Sequence, residues 1–544
     1  MKEEVIINDF FDPQGALGKI VKNYHIRTEQ IEMAKLVQNA IESNESLIVE
    51  AGTGVGKTFA YLVPAIINGG KVVISTATKN LQDQLYFDDI PKIRDALGVP
   101  VEINILKGRA NYICQLRMED SLLQGQFFNK EDSKYIHEIK KFSDNSISGE
   151  ISDLKIPEKA TIWPLVTSTK DNCLGQNCEF YKSCFIVKAR KKALDSEIVI
   201  VNHHLFFADF VLKDEELSEI LPTANTVIFD EAHQLPDTAS IFFGQSISST
   251  QITSLLQDSN QAFVKFPKTF NLLIDLIKSI QNIIEELIEI PGIKNNKFDI
   301  KNIENFDEFL KKFNHLIELI SSLNLLFSKH NDQGPEFEKF TERVNDFSLK
   351  LNSWINCEQQ EHIYWVESFS KSIQFNSTPI SVAENFIKFK KENNSSWIFT
   401  SATLAVRESF DHFQSLMGLE ETKTKLLLSP FDYNKNACLY VPEDMPDPSD
   451  SLYSLTLVKK VLPLIRSAEG RAFILSTSIR AMEEIRSLLR DEFEKEDISY
   501  PILVQGSGSK KLLLDQFKNH GNSILIGSVS FWEGVDVRGS SLSL

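Results

Sequence analysis

The stretch Leu47-Ile48-Val49-Glu50-Ala51-Gly52-Thr53-Gly54-Val55-Gly56-Lys57-Thr58 decides how the rest of the chain is read. A short apolar run, the right length for a strand, enters a glycine-rich turn, and Phe59-Ala60-Tyr61-Leu62-Val63 leaves it as a helix. Consecutive backbone N–H groups of such a turn, with a helix N-terminus behind them, cradle phosphates. Gly52, Thr53, Gly54 and Gly56 would form the cradle, Lys57 would reach the β- and γ-phosphates, and the Thr58 hydroxyl would sit on Mg²⁺. Ala51 stands where such turns usually open with glycine, a small departure because three glycines keep the turn permissive. An ordinary glycine-rich loop lacks the strand before and the helix after. The expectation is a nucleoside-triphosphate site.

A chain of 544 residues exceeds what one core can organise, so three or four domains are expected. Its 42 % hydrophobic and 24 % charged residues are those of a folded protein. The net charge of −17 argues against a broad basic coat, though a local basic groove for nucleic acid remains compatible with it. No apolar run approaches a membrane span, and Met1-Lys2-Glu3-Glu4 lacks the layout of a signal peptide. The sequence reads as cytoplasmic, with no membrane partner, and a monomer is expected.

Outward from the turn, Gln30 precedes it at a distance that suits an adenine-contacting amide. Lys71 to Ser75 reads as a buried strand ending in Thr76-Ala77-Thr78-Lys79, where Thr78 and Lys79 could hold a nucleic-acid phosphate or merely cap a helix. Glu197 to Val201 is another strand, ending in Asn202-His203-His204, which reads as strand-end structure or nucleic-acid contacts. Thr226 to Phe229 is a third, and it delivers Asp230-Glu231-Ala232-His233. A carboxylate at a strand end beside a phosphate-binding turn is what Mg²⁺ coordination requires, which suits Asp230. Glu231 would orient and deprotonate an attacking water, and His233 would link nucleotide to nucleic acid. Ser401 and Thr403, after the strand Trp397-Ile398-Phe399, would sense the nucleotide and couple it to motion between lobes.

Between these elements, Leu273 to Ile288, Phe306 to Phe327 and Phe337 to Trp354 repeat apolar residues at three- and four-residue steps. Residues 246–385 therefore read as a helical insertion. Cys114, Cys173, Cys178 and Cys184 fall in one segment. Four thiolates could hold zinc or an iron–sulfur cluster, or be unrelated core cysteines. Structural zinc prefers two tight pairs, whereas one remote and three loosely spaced ligands suit a cubane cluster better. Lys182, Lys188, Arg190, Lys191 and Lys192, interleaved with Phe180, Tyr181 and Phe185, could line a groove for single-stranded nucleic acid or form a solvated helix face.

The order of these motifs, closing on Phe531-Trp532-Glu533-Gly534-Val535-Asp536, resembles the superfamily 2 iron–sulfur helicases, and within them the DinG/YoaA branch of bacterial relatives of XPD. The resemblance spans essentially the whole chain. It implies an α/β fold with two RecA-like P-loop motor lobes, the first at 1–104, 196–245 and 386–425, the second, incomplete, at 426–544. It implies a 4Fe-4S domain at 105–195 and a helical arch at 246–385, both inserted in the first lobe. It adds Gly534 and Asp536 to the ATP contacts. It implies ATP-driven 5′→3′ movement on single-stranded DNA, forked or damaged DNA as substrate, a role in DNA repair or fork maintenance, and association with a replication clamp-loader accessory subunit. Members of the family continue into Gln-x-x-Gly-Arg-x-x-Arg, whose arginines stabilise transition-state charge, and Leu544 precedes that motif. Since such arginines supply about 10³–10⁵ in rate, the expectation is that residues 1–544 bind ATP and DNA but turn over poorly. Two other readings compete: a non-catalytic ATP- and DNA-binding protein, and an RNA helicase, against which the four cysteines argue.

Overall fold

The apolar run that enters the glycine-rich turn is a strand, β1 (Leu47–Ala51), and four more follow in the same sheet: β2 (Val72–Thr76), β3 (Ile103–Ile105), β4 (Ile198–Asn202) and β5 (Thr226–Asp230). A separate sheet contains β6 (Gln245–Ser248), β7 (Lys297–Asp299), β8 (His362–Ser368) and β9 (Ile373–Pro379), after which β10 (Ser396–Ser401) and β11 (Lys423–Leu427) return to the first. The structure is a computed structural model and describes residues 7–544 apart from 22–23, 126–128, 158–159, 215–219, 291, 295, 304, 509, 533–534, 536 and 538. The chain divides into two units, Met1–Pro430 and Phe431–Leu544.

The main sheet of the first unit runs β11-β1-β10-β5-β2-β4-β3, with every neighbouring pair parallel. Helices cover both faces, which is why its strands are almost continuously apolar. Alternate residues divide between two cores. Ile48, Val73, Val199, Phe229 and Phe399 join one with Trp397 and Phe386; Val49, Ile74, Ile200, Ile228 and Ile398 join the other with helices Thr28–Glu42 and Lys57–Asn68. Parallel pairing has one consequence that matters most: Ala51, Thr76, Asn202, Asp230 and Ser401 all end on the same edge. Open α/β sheets bind their ligands there.

The three apolar series of the insertion form helices Pro267–Ile288, Phe306–Ser328 and Pro335–Ile355, packed into one core. The region is not wholly helical, however. It carries the antiparallel sheet β6-β9-β8-β7, in which Val366 and Phe375 face each other across the β8–β9 hairpin and enter the helical core. Asp258 of this region accepts from Arg117, on the helix Gln115–Gln124 of the cysteine segment (3.1 Å), and from Arg343 of the helix Pro335–Ile355 (2.8 Å). One carboxylate thus ties the cysteine segment to the helical insertion.

Strand β11 pairs with β1 and includes both Lys425 and Leu426, so the expected boundary between 425 and 426 falls inside a strand of the first unit. The second unit has a parallel sheet of β12 (Ala472–Leu475), β13 (Ile502–Val504) and β14 (Ile524–Gly527), with β14 central. Helices Tyr453–Ser467 and Ile479–Lys495 contribute Val458, Ile465, Ile485 and Leu489 to its core.

Phe386 is fully buried among Phe229, Trp397 and Phe399. Phe386→Ala should destabilise the first unit by about 3–5 kcal/mol, read as a lower urea midpoint for its unfolding.

Candidate functional site

The glycine-rich turn follows β1 and opens the helix Lys57–Asn68. Gly54 and Gly56 both have φ of +88°, a left-handed conformation that glycine adopts without strain. A Cβ on Gly56 would also stand 2.2 Å from Gln30 Nε2. The turn is held from two sides. Gln30 donates its amide N–H to the Gly56 carbonyl (3.0 Å), while Tyr24 donates its hydroxyl to Gln30 Oε1 (3.3 Å). Opposite, Gly52 N–H donates to the Leu427 carbonyl (2.9 Å), and Ser429 Oγ donates to the Thr53 carbonyl (2.7 Å). Lys57 Nζ folds back toward the Ala51 carbonyl at 3.5 Å, at the mouth of the turn. Both polar ends of the buried Gln30 side chain are thus engaged locally, which makes it a brace for the turn.

Asp230 ends β5, buried, two strands from the turn. Tyr61, one helical turn after Lys57, donates its hydroxyl to Asp230 Oδ2 (3.1 Å), and the Glu231 N–H donates to Oδ1 (3.1 Å). Burial first, then the charge of Glu231, pushes the Asp230 carboxyl up to about 7, although Lys57 and the Tyr61 hydrogen bond pull the other way. Two crowded carboxylates beside a lysine form a site that a divalent cation would stabilise, so Asp230 fits the Mg²⁺ expectation in its chemistry. Glu231 has a φ of +57°, an unusual value for a side chain of its size. Its Oε2 accepts from Ser401 Oγ (3.2 Å), which also lies 2.8 Å from His233 Nδ1. Thr403 N–H donates to the same Ser401 oxygen (3.3 Å). Residues far apart in sequence, Glu231, His233, Ser401 and Thr403, therefore form one hydrogen-bonded group.

Other expectations resolve differently. Thr78 caps the helix Lys79–Gln84 through the Leu81 N–H. His203 is buried, with Nδ1 2.7 Å from Ser75 Oγ, and burial pushes its pKa down to about 3. It is neutral strand-end structure. Gly534 and Asp536 lie outside the described residues.

The four cysteine thiols are free of disulfides and partly buried. Burial raises the Cys114 thiol, and Cys173 and Cys178 add to the effect; burial likewise raises Cys178, with Cys173 and Cys184 adding. Each of the four is therefore an electrostatic neighbour of at least one other. Among the described residues, however, no group of three or more His, Cys, Asp or Glu side chains is arranged to hold a metal ion. Sequence reading missed Tyr61 and Ser429. Tyr61 had a signal, since it stands four residues after Lys57 on a helix and so shares its face; Ser429 had none.

Comparison with known proteins follows the same residues. Residues 31–115 match the model of the DEAD/DEAH box helicase family, and residues 461–544 that of the helicase C-terminal domain. The chain is 39 % identical to the ATP-dependent DNA helicase YoaA of Escherichia coli, over 99 % of its own length and 84 % of that protein's. It is 37 % identical to the YoaA helicase of Haemophilus influenzae, over 100 % of its own length and 84 % of that protein's. A solved XPD helicase aligns with a TM-score of 0.49 at 16 % identity, over 95 % of this chain and 83 % of that one.

Removing the brace should loosen the turn. Gln30→Ala leaves the Gly56 carbonyl without its amide partner and should weaken nucleotide affinity about tenfold, the scale of one hydrogen bond with its desolvation, as measured by titration with a fluorescent ATP analogue.

Proposed function

The chain belongs to the YoaA/DinG-type ATP-dependent DNA helicases, and on that premise we propose that its first unit hydrolyses ATP at the edge where β1, β5 and β10 end. The observation that carries this reading is the joining of the glycine-rich turn to Asp230 through Tyr61, with Glu231, His233 and Ser401 bonded together beside it. Gly52, Thr53, Gly54 and Gly56 cradle the phosphates, and Lys57 swings from the Ala51 carbonyl to the β- and γ-phosphates. Glu231 orients water for attack and takes its proton. Ser401 and Thr403 register the state of the site. Mg²⁺, when held by Thr58 and Asp230, neutralises charge on the phosphates.

The DNA track is single-stranded, travelled 5′→3′, with forked or damaged DNA as the substrate and the cytoplasm as the place of action; no described helix is long and apolar enough to cross a membrane. Family likeness also supports a monomeric motor and a clamp-loader accessory subunit as partner. Cys114, Cys173, Cys178 and Cys184 are proposed to hold a 4Fe-4S cluster, which would brace the loops that carry them. That the four thiols are electrostatic neighbours supports this.

Single-stranded DNA should bind and should raise whatever ATP hydrolysis the protein carries out, and RNA should do neither. Lys57→Ala should abolish turnover while DNA binding persists, and Glu231→Gln should cut kcat by about 10²–10⁴. Equal stimulation by RNA, or hydrolysis by Lys57→Ala, would count against the reading. For the cluster, aerobic purification should give a brown protein with visible absorption that Cys178→Ser loses; a colourless wild type with bound zinc would replace it.

A further inference from the structure

We propose that Glu50 is a positioning residue that anchors the turn after Ser401 to β1 and thereby couples ATP turnover to DNA binding. Glu50 is the penultimate residue of β1 and the register partner of Ser401 in β10. Its Oε2 accepts two consecutive backbone N–H groups, from Leu404 at 2.5 Å and from Ala405 at 2.6 Å. Hydrogen bonds from backbone amides to a carboxylate are among the strong ones, and a carboxylate aimed at two neighbouring amides fixes the backbone between them.

The turn needs such an anchor. Arg407 and Glu408 both have positive φ, +52° and +69°, and Val406 and Ser409 exchange backbone hydrogen bonds of 2.8 and 3.1 Å across them. Strained backbone of this kind persists only where its surroundings hold it. The backbone that Glu50 fixes begins three residues after Ser401, whose oxygen is shared by Glu231, His233 and the Thr403 amide. Glu50 therefore links the strand that carries the glycine-rich turn to the loop that carries Ser401 and Thr403, without reaching substrate itself. A change felt at one of these two loops reaches the other through the Glu50 side chain as well as through the paired strands β1 and β10. The role rests on the helicase reading above.

The test compares the ratio of DNA-stimulated to unstimulated kcat in wild type, Glu50→Ala and Glu50→Gln, beside the KM for ATP, the melting temperature and unwinding of a forked duplex. Glu50→Ala should lower the ratio about tenfold, within the range typical of coupled sites, with KM for ATP little changed. Glu50→Gln keeps an oxygen facing both amides and should recover most of the ratio. A wild-type ratio near one overturns the coupling; where binding of single-stranded DNA is lost as well, the helicase reading falls with it. A high wild-type ratio that Glu50→Ala leaves intact overturns the anchor alone. So does a fall in kcat and rise in KM shared equally by basal and stimulated reactions in both variants, the mark of a merely structural role. If Glu50→Ala does not fold, Glu50→Gln decides: a ratio about two- to threefold below wild type supports the anchor, and an unchanged ratio with unchanged unwinding overturns it.

Discussion

Asp230 is a carboxylate buried at the end of a strand, and such a group is stable only when donors or positive charge are held against it. The donors here are the Tyr61 hydroxyl and the Glu231 amide, and the charge is Lys57. Two of these three come from the helix that follows the glycine-rich turn. Satisfying Asp230 therefore fixes the distance between the turn and β5, although β10 lies between their strands. The parallel sheet supplies the common edge; the buried acid decides which loops must meet on it.

Much of this was legible in the sequence because local and global signals agreed. The runs at 47–51, 72–76, 198–202 and 226–230 are apolar enough for strands covered on both faces, and each is bounded by a turn or helix signal. The three helical series between 267 and 355 kept their period and their apolar faces became core. The hairpin of β8 and β9 escaped notice because its strands mix polar and apolar residues: Asn376, Ser377 and Ser368 are buried beside Val366 and Phe375. Alternation is a weak signal over seven residues next to long helices with a strong one. Gln30 is expected to contact the base, and its bonds to Gly56 and Tyr24 add a bracing role that residue type and position alone do not reveal.

The two insertions show how a motor sheet can tolerate large additions. Neither interrupts a strand: the cysteine segment enters between β3 and β4, and the helical region between β5 and β10. Their contact does not rest on apolar packing alone, because Asp258 collects Arg117 from one and Arg343 from the other, with Arg343 almost fully buried. An ion pair desolvated to this degree contributes little net stability but punishes the loss of one partner heavily. It sets where the insertions touch more than how firmly they are folded.

The path of the chain at β11 has a mechanical side. The last strand of the first unit pairs with β1, and two residues beyond it Ser429 is bonded to the Thr53 carbonyl, one residue before the unit ends at Pro430. The connection to the second unit thus departs from a residue stapled to the glycine-rich turn. The last residue but one of the first unit and the glycine-rich turn share a hydrogen bond, so the path by which the chain leaves this unit and the shape of the turn cannot be altered independently.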